Sequence, residues 1–234
     1  MDLLVFQGGT FDPVHEGHLG IARAARDALD AEIRLMPAAD PPHRPAPGAA
    51  AVHRARMLDL AVAGERRLKV DRRELRRTGR SYSVETLREI RGETGEAQPL
   101  ALLLGADSFL GLPQWHCWQA LFELAHFVVA DRPGASLEQD LPEPLAAAIH
   151  GRRCDSAAGL HAAPAGRLLR LHQPLQVQSA TAVRRGIASG DAGWRDLVPA
   201  AVAGYIDRHG LYRTPEDDSV AELPDNPGLP PASL

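Results

Sequence analysis

The stretch Pro99–Asp107, PLALLLGAD, is apolar at every position from Leu100 to Leu104 and then breaks at Gly105. An amphipathic helix or a half-exposed strand would place polar residues inside such a run. A short unbroken apolar segment bounded by proline and glycine suits a central strand of a parallel sheet, covered on both faces. That strand requires helices on either side of it. Further short strands are expected at LLVF (3–6), EIRLMP (32–37), RLKV (67–70), HFVVA (126–130) and GRLLRLH (166–172).

Helical patterns fall between these runs. Residues 17–30 place Leu19, Ala22, Ala25, Ala28 and Leu29 on one stripe, and residues 50–63 form a second helical segment. SYSVETLREIRGETG (81–95) opens on Ser81 and Ser83 as cap candidates and offers Gly92 and Gly95 as ends. Further helices are expected near 117–125, 180–189 and 198–209, with a short one in LPEPLAAAIHG. The prolines of AADPPHRPAPG (38–48) dictate a loop. Strands alternating with helices predict an α/β domain with a mainly parallel sheet, running over residues 1–213. Residues 135–165 match no pattern well enough to receive a role, and the acidic, proline-rich tail 214–234 is expected to be disordered.

Bulk properties narrow the function. A net charge of −4 over 234 residues does not suit a general nucleic-acid binder. No apolar run reaches the roughly 18 residues of a membrane helix, and MDLLVFQGG reads as a strand and not a signal peptide. Cys117 and Cys154 are far apart and lack metal-site spacing. A cytoplasmic protein with no membrane or nucleic-acid partner is expected, and the sequence excludes neither a monomer nor a homo-oligomer. Lys69 is the sole lysine, so any lysine-dependent chemistry must use it.

The chemistry concentrates in GGTFDPVHEGHL (8–19), where the first strand hands over to the first helix. Ligands of open parallel sheets sit beyond the carboxyl ends of the strands. Glycines there let a backbone approach a ligand, and the following helix N-terminus favours an anion. A tight strand–helix turn would use the same glycines. The segment holds neither G-x-x-x-x-G-K-[ST] nor G-x-G-x-x-G, and Lys69 is misplaced for a P-loop lysine. His15 and His18 are three residues apart, where a helical zinc motif needs four, and zinc also needs a third ligand. Either they cap a turn or they donate to phosphate in place of a lysine.

The segment resembles the H-x-G-H signature of nucleotidyltransferases. PPHR (41–44), SYSVETL (81–87), LLLGADSFLGLPQW (102–115), ADRPG (130–134), SATAVR (179–184) and GYIDRHGLY (204–212) follow in the order and spacing of bacterial nicotinate-nucleotide adenylyltransferases. The resemblance runs from about residue 3 to residue 213. It implies a Rossmann-like open sheet with helices on both faces, and adenylyl transfer from ATP to nicotinate mononucleotide. Transfer to nicotinamide mononucleotide or to another phosphate, such as phosphopantetheine, is the enzymatic alternative. A nucleotide sensor without catalysis is the alternative from another class.

By that resemblance His15 and His18 are the catalytic donors. Gly8, Gly9, Thr10, Phe11, Gly105 and Asp107 join them around ATP, and Ser179, Thr181 and Arg184 form a second phosphate site at a late helix. Capping is the simpler role for Ser179, Thr181 and Asp107. Trp115 is expected to stack on the pyridine ring, whereas Trp118 and Trp194 are expected in the core. Backbone amides near Tyr82, Ser83 and His116 are expected to take the nicotinate carboxylate. Arg132 is expected at the mononucleotide phosphate, and His43 and Arg44 at a substrate loop. Magnesium would arrive on the ATP phosphates, without a protein cage. Gln178 stands where the family has an apolar residue, which predicts a shift in the packing of the late helix.

Overall fold

The computed structural model describes residues 2–39, 47–77, 79, 81–131, 141–173 and 178–213. The expected central strand is present as β4 (Leu100–Gly105), and the elements before it alternate as anticipated. They are β1 (Leu4–Gly9), α1 (Glu16–Leu29), β2 (Glu32–Pro37), α2 (Ala51–Val62), β3 (Leu68–Val70) and α3 (Ser83–Thr94). Beyond β4 come α4 (Ala106–Leu110), α5 (Leu121–Leu124), β5 (His126–Ala130), α6 (Glu143–Ile149), β6 (Arg153–Cys154), α7 (Ala157–His161), β7 (Leu168–Leu171), α8 (Ala180–Ser189) and α9 (Ala200–His209).

The described strands form one parallel sheet in the order β3-β2-β1-β4-β5-β7-β6. The chain builds outward from β1 to β3, then crosses back to lay β4 on the other flank of β1. That reversal opens a crevice between the carboxyl ends of β1 and β4, the usual ligand position in such sheets. Gly9 ends one strand and Gly105 the other.

Alternate residues of each central strand feed two separate cores. Val5 of β1, Ala101 and Leu103 of β4 and Val128 of β5 meet Leu19, Ala22 and Ala25 of α1, Val183 of α8 and Val202 of α9. Phe6, Leu102, Leu104, Phe127 and Val129 meet Leu87 and Ile90 of α3 and Phe109 of α4. A strand buried on both faces has no solvent side to carry polar residues, which explains PLALLLG.

Several expectations need correction. Ala28 is exposed, and Gly17 replaces it on the buried stripe of α1. The helix expected near 117–125 is a 3-10 turn (Trp118–Ala120) followed by the single turn α5. Strand β6 and helix α7 had no sequence counterpart, and α4 had only the cap alternative for Asp107: each is five residues or fewer, too short to show a period. Tyr82, and not a serine, holds the N-cap position of α3, and no side chain caps that end. Among the described residues no helix is long and apolar enough to cross a membrane.

Candidate active site

The β1–α1 connection is built for close approach. Phe11 adopts a left-handed backbone (φ 50°), and the Asp12–Pro13 peptide is cis. Phe11 was expected near ATP. Its ring is 1% exposed in the core and meets the His18 ring edge-on, with 4.8 Å between centres. The ring therefore supports a histidine. His15 takes the N-cap position of α1. Its backbone N–H donates to Nδ1 of His18 at 3.4 Å. A neutral imidazole accepting at Nδ1 carries its proton on Nε2, so this bond selects the tautomer that donates from the far side of the ring.

Gly17, between the histidines, has a steric reason to be glycine. A Cβ there would stand 2.9 Å from Nδ1 of His15 and 3.1 Å from the backbone oxygen of Gln178. The missing side chain lets the residue before Ser179 approach the start of α1, so the N-termini of α1 and α8 come together. Ser179 caps α8 by accepting from the Ala182 N–H at 3.1 Å, which establishes the capping role and leaves its hydroxyl proton to donate elsewhere. Arg184, one turn into α8, donates to the backbone oxygen of Asp12 at 2.5 Å and lies 3.5 Å from Oγ1 of Thr181. Gln178 immediately precedes the Ser179 cap of α8, and its buried Oε1 lacks a hydrogen-bond partner. Two helix N-termini carrying positive partial charge thus converge beside two histidines and an arginine, a setting for a polyanion.

On the β4 side, Gly105 caps α4 and Asp107 is exposed in its first turn. The next loop carries Trp115, which packs partly buried against the second core, as does Trp118; Trp194 is buried in the first. The His116 ring lies 4.6 Å from that of Tyr82, so the loop after β4 meets the uncapped start of α3, where Ser83 is the first helical residue. Gly8 has open space around it. Lys69 pairs with Glu32 at 2.6 Å on the outer strands and takes no part here. His43, Arg44 and Arg132 lie outside the described residues. The sequence reading missed the residues that buttress the loop, Asp12 and Arg54, because a carboxylate and a guanidinium buried with their partners look like surface residues in a sequence.

Comparison with known proteins follows the same lines. The cytidylyltransferase-like family model matches residues 6–186. A probable nicotinate-nucleotide adenylyltransferase of Stenotrophomonas maltophilia is 57% identical over 220 residues, 92% of this chain and 99% of the relative. One from Xylella fastidiosa is 50% identical, covering 90% and 96%. Among solved structures, the nicotinic acid mononucleotide adenylyltransferase of Plasmodium falciparum complexed with NaAD superposes with a TM-score of 0.70 over 91% of this chain and 98% of that one, at 12% identity. That likeness bears on the fold, and the identities carry the kinship: the chain belongs to the cytidylyltransferase-like family and, within it, to the nicotinate-nucleotide adenylyltransferases.

Proposed function

We propose that this chain transfers the adenylyl group of ATP to nicotinate mononucleotide, giving nicotinic acid adenine dinucleotide and pyrophosphate in NAD biosynthesis. The observation that carries the reading is the convergence of the α1 and α8 N-termini with His15, His18 and Arg184 at the switch point of the sheet. The names borne by relatives about half identical over nearly their whole length support the acceptor.

A phosphate oxygen of the mononucleotide attacks the α-phosphorus of ATP. A new P–O bond forms, the bond to the bridging oxygen of the β-phosphate breaks, and pyrophosphate leaves with that electron pair. The attacking oxygen is ionised at neutral pH, so no general base is needed. The work left to the protein is alignment of the two phosphates and stabilisation of the charge that grows on the equatorial and leaving oxygens. His18 donates from Nε2, His15 holds its tautomer, and the amides of Gly9 and Thr10 line the same anion. Ser179, Thr181 and Arg184 grip the departing pyrophosphate. The uncapped start of α3 offers N–H groups to the nicotinate carboxylate, and Trp115 offers a flat face to the ring. Among the described residues no trio of His, Cys, Asp and Glu is placed to hold a metal; this donor set fits magnesium carried in on the nucleotide, where it would offset phosphate charge. An ATP-consuming reaction and two free thiols, Cys117 and Cys154, suit a reducing cytoplasm.

The test is chromatographic detection of the dinucleotide after incubating purified protein with magnesium, ATP and nicotinate mononucleotide. Recovery of both substrates unchanged would overturn the reading.

A further inference from the structure

The mechanism leaves unused an acid that lies inside the phosphate loop. Asp12 is 6% exposed, yet stands two residues from Thr10 and three from His15. Its carboxylate is the meeting point of three distant segments. Oδ2 accepts the Gly48 N–H at 2.7 Å, and Oδ1 accepts the Ala49 N–H at 3.0 Å and the Tyr212 hydroxyl at 2.8 Å. Nη1 of Arg184 reaches the backbone oxygen of Asp12 at 2.5 Å and its Oδ2 at 3.7 Å. Behind the loop, buried Arg54 donates to the carbonyls of Thr10 at 2.6 Å, Ala49 at 3.2 Å and Ala39 at 3.2 Å. One carboxylate therefore sits between two guanidinium groups and ties the β1–α1 loop to the entrance of α2, to α8 and to the chain beyond α9.

The Tyr212 end of this arrangement is as constrained as the Asp12 end. Tyr212 has a left-handed backbone (φ 63°), and a Cβ on Gly48 would lie 3.3 Å from its ring. Burial first, and then the neighbouring carboxylate, push its phenol far above the ordinary range, so it stays a proton donor at any physiological pH. A buried carboxylate that loses one donor keeps its full desolvation cost, so each of these bonds bears on where Asp12 sits. Arg184, in turn, has one nitrogen fixed on Asp12 while the side chain keeps 37% of its surface exposed.

We propose that Asp12 is a positioning residue, which sets the Arg184 guanidinium and the Gly9–Thr10 loop in a single register for the ATP phosphates, with Tyr212 locking it from the C-terminal end. The proposal rests on the adenylyl-transfer reading in giving Arg184 the nucleotide. Asp12 touches neither substrate and acts through Arg184 and the loop backbone.

The experiment is a double-mutant cycle read by calorimetric titration of the full chain with magnesium and ATP. Asp12→Asn and Arg184→Ala should each weaken ATP binding about tenfold, and the double variant should be no weaker than the weaker single, since both remove one coupled element. The KM for nicotinate mononucleotide should stay within about twofold, a split that simple loss of folded protein would not produce. Tyr212→Phe, which keeps the ring, should weaken ATP binding about threefold with the same split, and it carries the test if Asp12→Asn does not fold. Effects that multiply in the double variant, or unchanged ATP affinity in Asp12→Asn and Tyr212→Phe, would overturn the proposal. A wild-type protein that binds ATP but yields no dinucleotide would sink the reaction assignment while the cycle remained readable; a wild-type protein that binds no ATP would sink both.

Discussion

The imidazoles of His15 and His18 stack with 3.7 Å between ring centres and 30° between planes. The pair is asymmetric: His15 is 6% exposed and His18 half-buried. The stack and the Phe11 edge confine the His18 ring, and the His15 N–H fixes its proton on the side away from the backbone. His15 thus holds the His18 ring with Nε2 turned away from the backbone.

His18→Ala removes that donor without disturbing the core. The expected outcome is a loss of about 10²–10³ in kcat with an unchanged far-ultraviolet circular dichroism spectrum, on the scale of one oxyanion donor. A change below about threefold in steady-state kinetics would remove His18 from the transition state.

Gly17→Ala tests the joining of the two helix starts. The added Cβ meets the His15 ring at 2.9 Å and an unyielding backbone oxygen at 3.1 Å, so α1 and α8 must separate or the ring must turn. Overpacking of this kind costs about 1–3 kcal/mol. We expect a lowered melting temperature and a kcat reduced at least about tenfold, although alanine is the better helix former. Thermal unfolding and initial rates matching the wild type would show that the close approach is dispensable.

Trp115→Ala addresses the pyridine end. Its expected signature is an increase in KM for the mononucleotide of about tenfold, the scale of one stacked ring, with the KM for ATP nearly constant. An unchanged mononucleotide KM would return Trp115 to a purely structural role.

His126 predicts how stability depends on pH. It is fully buried, accepts the Arg167 N–H at 3.0 Å on Nδ1, and bonds the Ala163 carbonyl at 2.9 Å through Nε2. Burial, outweighing that carbonyl, holds its pKa below the ordinary 6.5. The unfolded chain therefore binds the proton more readily than the folded one. Stability is complete above 6.5 and declines as the pH falls below that value and on through the depressed native pKa. Melting temperatures recorded from about pH 8 to 5 should fall on the acid side, and His126→Gln should fall less steeply from a lower start. Parallel slopes for the two proteins would contradict this.

Much of the molecule was legible in the sequence, for reasons that differ by element. PLALLLG and HFVVA announced buried strands because a strand covered on both faces has nowhere to put a polar side chain. The start of α8 was legible because Ser179 is a common cap. Elements of a few residues, such as β6 and α7, carry no period and were invisible. The buried polar framework was equally hidden. Arg91, 3% exposed, donates to the carbonyls of Gln98, Leu124 and Pro164. Arg54 and Asp12 do comparable work beneath the β1–α1 loop. Most of their partners are backbone atoms, and the Tyr212 hydroxyl on Asp12 comes from the far end of the chain, so no residue pattern encodes them. The motif placed Phe11 near the ligand without showing that its ring lies in the core against His18.

The central claim is that this chain adenylylates a pyridine mononucleotide and prefers the acid. Initial-rate pyrophosphate release with magnesium and ATP, run in parallel on nicotinate and nicotinamide mononucleotide, tests it most directly. The account predicts turnover with nicotinate mononucleotide and a higher kcat/KM than with the amide. Release from neither substrate by folded protein would contradict the activity, and a higher kcat/KM for the amide would contradict the assigned acceptor.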